Sequence, residues 1–448
     1  MNQGPMDLSE KKGRLALGIA RALKTKGFTA YFAGGCVRDH LMGEKPQDFD
    51  IATTAKPEEV EALFAKTVPV GKQFGVMLVI EEEIQFEVAT FRCEGGYQDG
   101  RHPSHVSFTH PEEDARRRDF TVNGLFYDPF EQRVIDYVNG VSDISGKMIR
   151  AIGDPDARFE EDKLRLLRAI RFASTLDFEI EKKTWEAVCK KSPEIHAVSP
   201  ERIREELVKI FTRPGAARGF VLLSESGLMK EVLPEIEALR GVQQPENFHP
   251  EGDVFEHTRL LLVNLRPPVS TILAFAALFH DVGKPKTSAM RKGRLTFYEH
   301  SEEGVKIAQG VMRRLRFSND EIDGVCECVL NHMKFMDVKK MRIGKLKRFI
   351  SRFHFNEEME LHRIDCVASH GMLDNYEFLQ EKLKECSTEE LKPKPLVTGH
   401  DLMAMGMQPG PAMKPILEEL YELQLEGQFQ TKEDALAVAH DKIPQKRD

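Results

Sequence analysis

The chain changes its hydrophobic pattern once, near residue 155, and this change constrains the fold more than any other feature. Between about residues 28 and 140, short runs rich in β-branched and aromatic residues alternate with turns, as in FTAYFAG, VMLVIE and IQFEVATF. From about residue 155, apolar residues recur at helical spacing, beginning with RFEEDKLRLLRAIRFAST. We therefore predict an α+β protein in which a small mixed-sheet head is followed by an elongated all-α body.

Breaks within the helical part predict further boundaries. Segments that contain proline and glycine interrupt the helical pattern at residues 212–216, 243–253, 265–270 and 391–399. With a chain of 448 residues, more than one domain is expected. The predicted divisions are a head over 1–150, a helical neck over 151–212, a helical body over 213–380 and a helical tail over 381–448.

Composition narrows the class of protein. No run of about 18 apolar residues is present, so we expect no membrane span and no membrane partner. The start, MNQGPMDLSEKK, lacks the apolar segment of a signal peptide. The 7 cysteines are scattered and odd in number, which favours reduced thiols and a cytoplasmic location over a disulfide framework. The sequence leaves the oligomeric state open.

The net charge of the chain is negative, but one stretch of the sequence is strongly basic. The net charge of −8 argues against a surface that is generally adapted to phosphates. The stretch from Lys334 to Arg352, in contrast, is rich in lysine and arginine and holds a single acid. It is either an RNA-binding surface or a solvated helix face, and the charge pattern alone favours the second.

The segment GGCVRDHLMGEKPQDFDIAT combines residues that suit a nucleoside triphosphate. Gly34 and Gly35 end the strand FTAYFA and let the backbone approach a ligand closely, and the following helix N-terminus and Arg38 supply positive potential. Asp48 and Asp50 are two residues apart in a strand pattern, so we expect both side chains on one face. Paired carboxylates suit Mg²⁺, which keeps open positions for phosphates. The combination predicts a triphosphate held on magnesium rather than a plain turn and a surface strand.

These motifs belong to a larger set that resembles a known family. GGCVRD, DFDIAT, ATFR, RRRDFTVNG and EEDKLRLLRAIRF together resemble the class II tRNA nucleotidyltransferases and bacterial poly(A) polymerases. The resemblance covers residues 28–172 closely and resumes in the tail at LVTGHDLMAMGMQPGPAMKPILEELYELQLEG. It implies a catalytic head, a base-selecting neck and a tail that binds tRNA.

The resemblance also implies a two-metal mechanism. In such enzymes two Mg²⁺ ions bridge the aspartates, which here are Asp48 and Asp50; one activates the primer 3′-hydroxyl and the other holds the β- and γ-phosphates. By the same resemblance, Arg118 and Asp119 would contact the triphosphate and the ribose. Glu87, in the predicted strand IQFEVATF, is a candidate third carboxylate or, equally, an exposed acid on a strand face.

Charged residues recur every three positions in EDKLRLLRAIR and predict a strip on one helix. Asp162 and Arg165 match the family positions that read the base, where a carboxylate accepts from the exocyclic amine of C or A and a guanidinium donates to the ring nitrogen. U and G present a carbonyl beside an N–H and mismatch this pair. Arg168 and Arg171 would support the phosphates or the fold of the site. The alternative is an internal ion pair between Asp162 and Arg165.

The segment 93–106, CEGGYQDGRHPSHV, is glycine-rich and polar between two strand-like segments. We interpret it as a mobile loop. It occupies the place of the flexible loop that C- and A-adding relatives use when they switch to A addition, which argues against an enzyme that adds only CC.

A second motif lies in the predicted body. FHPEGDVFEHT and LFHDVGKPKT place His257, His280 and Asp281 in the pattern of an HD metal domain. Further candidates follow at spacings that HD hydrolases also show: His300, His332 and Asp365. Imidazoles with carboxylates suit a divalent transition metal. The alternative is a polar cluster that satisfies backbone groups, and a hydrolytic role stays open.

The leading hypothesis is template-independent addition of C and A to the 3′ end of tRNA from CTP and ATP, with release of pyrophosphate. An A-only adding enzyme or a poly(A) polymerase would use the same chemistry. An HD-domain phosphohydrolase with a nucleotide-binding head, or a non-catalytic tRNA-binding protein, would not need Asp48 and Asp50.

Overall fold

The computed structural model describes residues 4–97, 103–244, 252–385 and 393–442. The chain forms two compact units, Met1–Glu237 and Ala238–Asp448. None of the helices within the described ranges is long and apolar enough to cross a membrane. The mixed sheet lies in the first unit and the second unit is almost entirely helical, so the predicted α+β class is confirmed.

The first unit is built on a seven-stranded sheet with the order β3-β4-β5-β2-β1-β8-β9. Neighbouring strands run antiparallel except β2 and β5, which are parallel. Its strands are β1 (Ala30–Ala33), β2 (Asp50–Thr53), β3 (Thr67–Gly71), β4 (Val76–Glu81), β5 (Ile84–Thr90), β8 (Leu125–Asp128) and β9 (Arg133–Asp136). Beside it, β6 (Arg92–Tyr97) pairs with β7 (Pro103–Phe108), and β10 (Met148–Ile149) pairs with β11 (Glu179–Ile180).

Aromatic residues fill the core of the head. Phe32 on β1 packs edge-on against Phe49, and Phe91 packs edge-on against Phe126 on β8. All four side chains are buried. Because Phe32 lies opposite Tyr127 and Ala33 lies opposite Phe126, the two aromatic pairs pack on opposite faces of the sheet, and both faces bury apolar side chains.

The helices of the first unit surround the sheet and continue beyond it. Most begin after a polar or proline-bearing turn; for example, α9 begins at Pro200 directly after Ser199, as the sequence predicted. They are α1 (Lys11–Thr25), α2 (Gly35–Met42), α3 (Pro57–Leu63), α4 (Pro111–Arg117), α5 (Gly140–Ser145), α6 (Pro155–Glu161), α7 (Leu164–Leu176), α8 (Lys182–Lys191), α9 (Pro200–Thr212), α10 (Ala216–Glu225), α11 (Leu228–Val232) and α12 (Pro234–Glu237).

The second unit packs helices around phenylalanine- and leucine-rich cores. Its helices are α13 (Val254–Val263), α14 (Thr271–Phe279), α15 (Lys284–Thr287), α16 (His300–Arg314), α17 (Asn319–Asn331), α18 (Ile343–Ile350), α19 (Phe355–Ala368), α20 (Asp374–Glu385), α21 (Gly399–Ala404), α22 (Met413–Leu425) and α23 (Lys432–Lys442). A 3-10 helix at His332–Lys340 joins α17 to α18. One cluster centres on Phe335 and Phe349, and another, in the last three helices, on Leu402 and Leu420.

Two expectations need correction. The body is not all-α, because β12 (Ala289–Arg291) and β13 (Arg294–Thr296) form a hairpin in the second unit. The segment 93–106 is not loop throughout, because β6 and β7 pair in register from Arg92 opposite Phe108 to Tyr97 opposite Pro103. Residues 98–102, the centre of that predicted loop, lie outside the described ranges.

Candidate active site and metal centre

A cavity of about 800 Å³ lies in the first unit beside the central strands of the sheet. Strands β1, β2 and β5 contribute one side, and helices α7 and α9 contribute arginines to the other. Residues at the cavity that matter for the chemistry are Gly34, Gly35, Arg38, Asp50, Glu87, Arg118, Asp119, Asp162, Arg165, Arg168, Arg171 and Arg202. The fold thus brings together every residue predicted to bind nucleotide, although they come from segments far apart in sequence.

The glycine pair makes the tight entry into α2. Gly34 has φ +69°, in the left-handed region that L residues with side chains avoid. A Cβ at this position would also lie 3.3 Å from Nη1 of Arg118. Gly35 then begins α2, so the first backbone N–H groups of this helix lie at the cavity. The backbone conformation therefore favours glycine at position 34, and a side chain there would also shift the end of the Arg118 side chain slightly.

Arg38 is fixed at the cavity by its neighbours. Its Nε and Nη2 donate to Oδ1 of Asp39 at 2.9 and 2.7 Å, and its Nη1 donates to Oδ1 of Asn123 at 2.7 Å. Its guanidinium also lies 5.5 Å from the centre of the Phe172 ring. These contacts hold the positively charged guanidinium of Arg38 one turn into α2, a position that suits the binding of a phosphate chain.

Asp50 and Glu87 form a carboxylate pair across two strands. Strands β2 and β5 are parallel with Ile51 opposite Val88, which brings the preceding residues, Asp50 and Glu87, alongside each other at the cavity. Desolvation by the cavity walls, and next the Glu87 charge, raise the pKa of Asp50 to about 6. Two oxygen-donor side chains that repel each other are the arrangement that a Mg²⁺ ion would stabilise.

Asp48 does not follow the predicted strand geometry. Strand β2 begins at Asp50, so Asp48 lies outside the pleat that was expected to place both aspartates on one face. Its side chain is 83% exposed and forms an ion pair with Lys12. It lies close enough to Asp50 to contribute to the raised pKa of that residue. Of the three carboxylates considered as Mg²⁺ ligands, Asp50 and Glu87 line the cavity and Asp48 does not.

Asp162 is not on the arginine helix. It ends α6, and α7 begins at Leu164, so the predicted strip on one helix is interrupted after its first residue. Arg202 of α9 donates to both carboxylate oxygens of Asp162, at 2.8 and 3.3 Å, and the N–H of Leu164 donates to Oδ1 at 3.0 Å. Sequence reasoning missed Arg202, since it lies 40 residues away and nothing local marks it.

Arg165 has its own partners. Its Nη1 donates to Oε2 of Glu161 at 2.6 Å and to the carbonyl of Arg158 at 2.8 Å, and its Nη2 donates to the carbonyl of Arg117 at 3.1 Å. The alternative of an ion pair between Asp162 and Arg165 is therefore wrong in its pairing. Each residue is oriented separately at the same cavity.

The next two arginines of α7 are paired with buried acids. Nε of Arg168 donates to Oδ2 of Asp119 at 2.8 Å, and Nε of Arg171 lies 2.7 Å from Oε2 of Glu206. Desolvation acts to raise the pKa of Asp119, but the charge and hydrogen bonds of Arg168 outweigh it and hold the pKa at about 2. Desolvation lowers the pKa of Arg171 to about 10. Asp119 is thus ionised and locked to α7.

Arg118 extends towards the glycine turn. Its Nε donates to Oδ2 of the buried Asp114 at 3.1 Å, and its Nη1 lies 3.4 Å from the carbonyl of Asn123. The guanidinium stacks 5.0 Å from the centre of the Phe126 ring. Arg118 therefore presents a fixed positive charge beside Gly34.

Six histidine and aspartate residues meet in the second unit. Two groups of three have ligand atoms within 4.8 Å of one another: His257 with His280 and Asp365, and Asp281 with His300 and His332. His280 Nε2 lies 3.2 Å from Asp281 Oδ2, as the predicted HD pair requires. Burial, and next the His280 charge, lower the pKa of His332 to about 4, so this imidazole is neutral. The donor set fits a divalent transition metal.

Backbone carbonyls orient three of these histidines. Nδ1 donates to the carbonyl three residues earlier in His280 (to Ala277, 2.9 Å), His300 (to Phe297, 2.8 Å) and His332 (to Val329, 2.6 Å). Because a carbonyl can only accept, Nδ1 carries the proton and Nε2 keeps its lone pair in the neutral ring. This arrangement at the outer nitrogen is typical of histidines that bind metal.

The basic stretch of the second unit is not one helix face. The residues between Lys334 and Arg352 divide between the 3-10 helix and α18. A groove of about 550 Å³ is lined by Lys334, Lys345, Arg348 and Arg352, together with Asp337 and Glu422. Nη1 of Arg348 donates to Oε1 of Glu422 at 2.7 Å, so part of the charge is compensated internally.

Three family descriptions match the chain. Residues 30–150 match the "Poly A polymerase head domain", residues 177–239 match the "Probable RNA and SrmB- binding site of polymerase A", and residues 253–368 match the "HD domain". The matches fall on the sheet and its cavity, on the helices that follow, and on the histidine and aspartate cluster.

Curated relatives are CCA-adding enzymes. One from Bacillus licheniformis is 46% identical over 218 residues, a match that spans 48% of this chain and 55% of the relative, or about half of each. One from Streptococcus suis is 31% identical over 438 residues, which cover 97% of both chains. Among solved structures, a Bacillus stearothermophilus CCA-adding enzyme in complex with CTP has a TM-score of 0.74 at 26% identity, and covers 97% of this chain and 98% of that chain.

Proposed function

The chain belongs to the family of CCA-adding enzymes, and on this premise we propose that it adds C and A nucleotides to the 3′ end of tRNA without a template. Its substrates would be CTP and ATP, and pyrophosphate would leave at each step. The observation that carries the proposal is the cavity, in which the Asp50 and Glu87 carboxylates share a space with the Asp162–Arg165 pair and further arginines. The carboxylates of Asp50 and Glu87 suit a metal-bound triphosphate, and Asp162 with Arg165 suits the edge of a base.

Asp48 and Asp50 would hold the magnesium ions, and Glu87 is the candidate third ligand. When bound, Mg²⁺ lowers the pKa of the primer 3′-hydroxyl and neutralises charge on the phosphates. The donor set fits this ion, because Asp50 and Glu87 offer only oxygens and repel each other in its absence. For Asp48 to join them, its carboxylate would exchange Lys12 for the ion.

Gly35, Arg38 and Arg118 would bind the triphosphate. The N-terminus of α2 offers backbone N–H donors at the cavity, and the guanidinium groups of Arg118 and Arg38 lie next to Gly34 and Gly35, respectively. Arg168 and Arg171 would position other parts of the site rather than bind phosphate directly, because each forms an ion pair with a buried carboxylate. They join the arginine helix to Asp119 and to α9.

Asp162 and Arg165 would select the base. An ionised carboxylate has about four lone-pair sites, and Arg202 and Leu164 occupy three of the positions on Asp162, so one remains to accept from the amine of C or A. Arg165 would donate to the ring nitrogen through an N–H group that its hydrogen bond to Glu161 does not use. A U or G in this position would leave polar groups unpaired, which costs more than a poor fit of shape.

The tRNA partner would contact several parts of the chain. We propose that the 3′ end enters the head, over residues 1–150, and its neck, over 151–212, while the body over 213–380 and the tail over 381–448 bind the rest of the tRNA. The groove lined by Lys334 and Lys345 is one candidate surface. A cytoplasmic location accords with a tRNA substrate, and the described cysteines are free thiols.

The HD-like cluster would hold a second kind of divalent metal. His257, His280 and Asp281 are the proposed ligands, and their nitrogen and oxygen donors suit a transition metal better than Mg²⁺. Such an ion would supply a Lewis acid and an activated water, should the site act on a substrate. Nucleotide addition does not require it.

Product analysis tests the function directly. The chain is incubated with a tRNA that ends at its discriminator base, with Mg²⁺ and with CTP, ATP or both. Three added nucleotides with the sequence CCA are expected with both substrates, and two with CTP alone. A parallel reaction uses a tRNA that already ends in CC. Addition of A to that tRNA with no extension of the first, or long A tails, would replace the proposal by an A-adding enzyme or a poly(A) polymerase. The Asp50→Asn variant serves as the blank.

A further inference from the structure

A second cavity of about 570 Å³ lies in the first unit, and none of its described lining residues also lines the cavity that holds Asp50. The turn after β9, the segment after β10 and the starts of α6 and α8 contribute to its walls. We propose that this cavity, the Tyr137 pocket, binds one nucleotide unit, that is, a base with its phosphate. The unit would come from a free nucleotide or from a strand of RNA. The proposal does not rest on the proposed addition of CCA, because binding here involves no reaction.

Tyr137 is an exposed aromatic residue that a rigid turn holds in place. It is 40% exposed and lines the pocket. The carboxylate of Asp136 accepts from the backbone N–H groups of Val138 at 2.9 Å, Gly140 at 3.1 Å and Val141 at 2.9 Å. The side chain of Val138 packs against the core of the head. Because the backbone beside Tyr137 is already fixed, its ring loses little conformational freedom when a base stacks on it.

Three side chains of the pocket are available to a ligand. The Tyr137 hydroxyl, the Asn139 amide and the Lys183 ammonium have no hydrogen-bond or ion-pair partner among the residues that the structure describes. An amide offers both a donor and an acceptor to the edge of a base, and an ammonium group attracts a phosphate. Together with the aromatic ring, these groups match the three parts of a nucleotide that a protein recognises: the face of the base, its edge and the phosphate.

The walls of the Tyr137 pocket are positively charged. The acids that pair with two of its arginines, Asp143 and Glu161, are not among the described lining residues. The positive charge therefore faces the cavity while its compensating acids lie behind, which favours an anionic ligand. The described lining contains one acid, Glu181, and four cations, which are Arg116, Arg150, Arg158 and Lys183.

The guanidinium groups in the wall are held in fixed positions. Nε of Arg150 lies 3.0 Å from Oδ2 of Asp143, and Nε of Arg158 donates to the carbonyl of Ile152 at 2.9 Å. A guanidinium has five N–H groups, so each arginine keeps donors that these bonds do not use. Groups that are oriented before the ligand arrives cost less conformational entropy on binding. A volume of about 570 Å³ is also within the range of roughly 300–1,000 Å³ that is usual for small-ligand sites.

Equilibrium dialysis of radiolabelled AMP and CMP with the full-length chain tests the proposal. EDTA removes Mg²⁺, and the chain carries Arg118→Ala with Asp162→Ala to weaken binding in the cavity that holds Asp50. We expect about one bound nucleotide per chain in this background. Arg158 is left unchanged in every variant, because it shares Oε2 of Glu161 with Arg165 and its loss would disturb both cavities.

Variants of the pocket separate its two halves. In the same background, Tyr137→Ala removes the stacking ring and Lys183→Ala removes the unpaired cation, and each should weaken AMP binding roughly 5-fold or more. Tyr137→Phe keeps the ring and should bind as the background does. Lys182→Ala changes the neighbouring exposed lysine, which does not line the pocket, and should also leave binding unchanged. Circular dichroism confirms folding, and Tyr137→Leu replaces Tyr137→Ala if that variant is unfolded.

Cross-linking and competition locate the site and identify the source of the nucleotide. Irradiation with 8-azido-AMP should label the peptide that contains Tyr137, and excess AMP should prevent this labelling. Displacement of AMP by tRNA or by a single-stranded oligonucleotide supports a pocket that takes part of an RNA strand. Displacement by free nucleotides alone supports a pocket that takes a free nucleotide.

Three results would overturn the Tyr137 pocket as a nucleotide site. They are loss of all AMP binding in the Arg118→Ala, Asp162→Ala background, equal affinity of the Tyr137→Ala and Lys183→Ala variants and that background, and complete displacement of AMP by sulfate with none by adenosine. The last result would identify a simple anion site. A chain that adds CCA but binds no AMP here would overturn this proposal alone, and a chain that binds AMP here but adds no nucleotides would overturn the proposed function alone.

Discussion

Arg202 on α9 donates hydrogen bonds to both carboxylate oxygens of Asp162, at 2.8 and 3.3 Å. Asp162 lies at the end of α6, outside the helix α7 that carries Arg165. The orientation of the Asp162 carboxylate is therefore not determined by α7 alone. A planar guanidinium holds a carboxylate at two points and fixes its plane as well as its position. The element proposed to read the base is therefore assembled from three helices, with Asp162 at the end of α6, Arg165 on α7 and Arg202 on α9.

Loss of the two residues proposed to read the base should relax specificity. In the double variant Asp162→Ala with Arg165→Ala, each lost hydrogen bond should cost about 1–3 kcal/mol of discrimination, or roughly 5- to 150-fold. UTP and GTP should then be incorporated at a visible fraction of the rates for CTP and ATP. The rate ratio for all four nucleotides is measured together with thermal stability. A folded double variant that keeps its preference for C and A would contradict the role of these residues.

Arg202→Lys should weaken the same discrimination without touching the base. A lysine keeps the charge but cannot hold both oxygens of Asp162, so the acceptor is less well oriented. We expect a roughly 5- to 10-fold rise in relative UTP incorporation, with kcat for CTP reduced less. Arg204→Lys, in the same helix but not at the cavity, is the control. Equal effects of the two variants would show that helix stability alone is being measured.

Removal of either aspartate proposed to hold Mg²⁺ should abolish addition. Asp50→Asn and Asp48→Ala should lower kcat by on the order of 10³-fold or more, because hydroxyl activation and phosphate neutralisation both depend on the metals. Binding of tRNA, measured by fluorescence anisotropy, should change little. Glu87→Gln tests whether Glu87 is a third metal ligand or only an exposed acid. Loss of a ligand should raise the Mg²⁺ concentration needed for half-maximal rate, whereas loss of an exposed acid should not. Glu83→Gln, on the turn before β5, is the matched control and should behave as wild type. Asp48→Ala with more than a few per cent of turnover would remove Asp48 from the mechanism.

Charge reversal in the basic groove should weaken tRNA binding. The triple variant combines Lys334→Glu and Lys345→Glu, which change the groove, with Lys340→Glu at the end of the neighbouring 3-10 helix. It should raise the Kd and make its dependence on salt shallower, because fewer counterions are released from the RNA. Each lost phosphate contact should reduce the slope of log K against log salt by about 0.7–0.9. Reversal of three exposed lysines elsewhere in the second unit, at positions 286, 292 and 306, controls for net charge. An unchanged slope would identify the groove as solvated surface.

Glu358 should make stability depend on pH in the neutral range. Desolvation raises the pKa of this buried carboxyl to about 7, against the opposing effects of Arg352 and Asn331. The fold therefore favours the protonated form: its contribution to stability is complete below pH 4.5 and is lost as the pH rises through about 7. We expect the wild type to lose on the order of 3 kcal/mol between pH 5 and 8 relative to Glu358→Gln.

Urea unfolding at several pH values measures this difference. Glu360→Gln, on the same helix and paired with Arg363, serves as the control and should run parallel to the wild type. Parallel curves for Glu358→Gln and wild type would show that the carboxyl ionises freely in the folded protein.

Local pattern predicted the elements of the head well. The glycine pair, the helix after it and the strand that carries Asp50 all lie where composition and spacing placed them, because each depends on neighbouring residues in the chain. The exact start of β2 was less predictable. Sequence spacing put Asp48 in the strand, whereas the structure begins the strand at Asp50 and leaves Asp48 paired with Lys12 on α1.

Partners that are distant in sequence could not be predicted. Arg202 meets Asp162 from 40 residues away, and Arg168 meets Asp119 from 49 residues away. Their helices show ordinary amphipathic patterns, and such a pattern does not identify the partner of a charged residue on a partly buried face. The interruption between α6 and α7 was hidden for the same reason, since charged residues recur at helical spacing on both sides of it.

The histidine bonds of the second unit bear on the order of events during folding. Each Nδ1–H of His280, His300 and His332 reaches a carbonyl only three residues earlier, so the loop that it closes is as short as a turn of helix. Contacts of this kind form on the timescale of helix formation, long before distant segments meet. We therefore expect the newly made chain to orient these rings before distant helices pack together, so that any ion the rings bind would be acquired only after the helices have assembled.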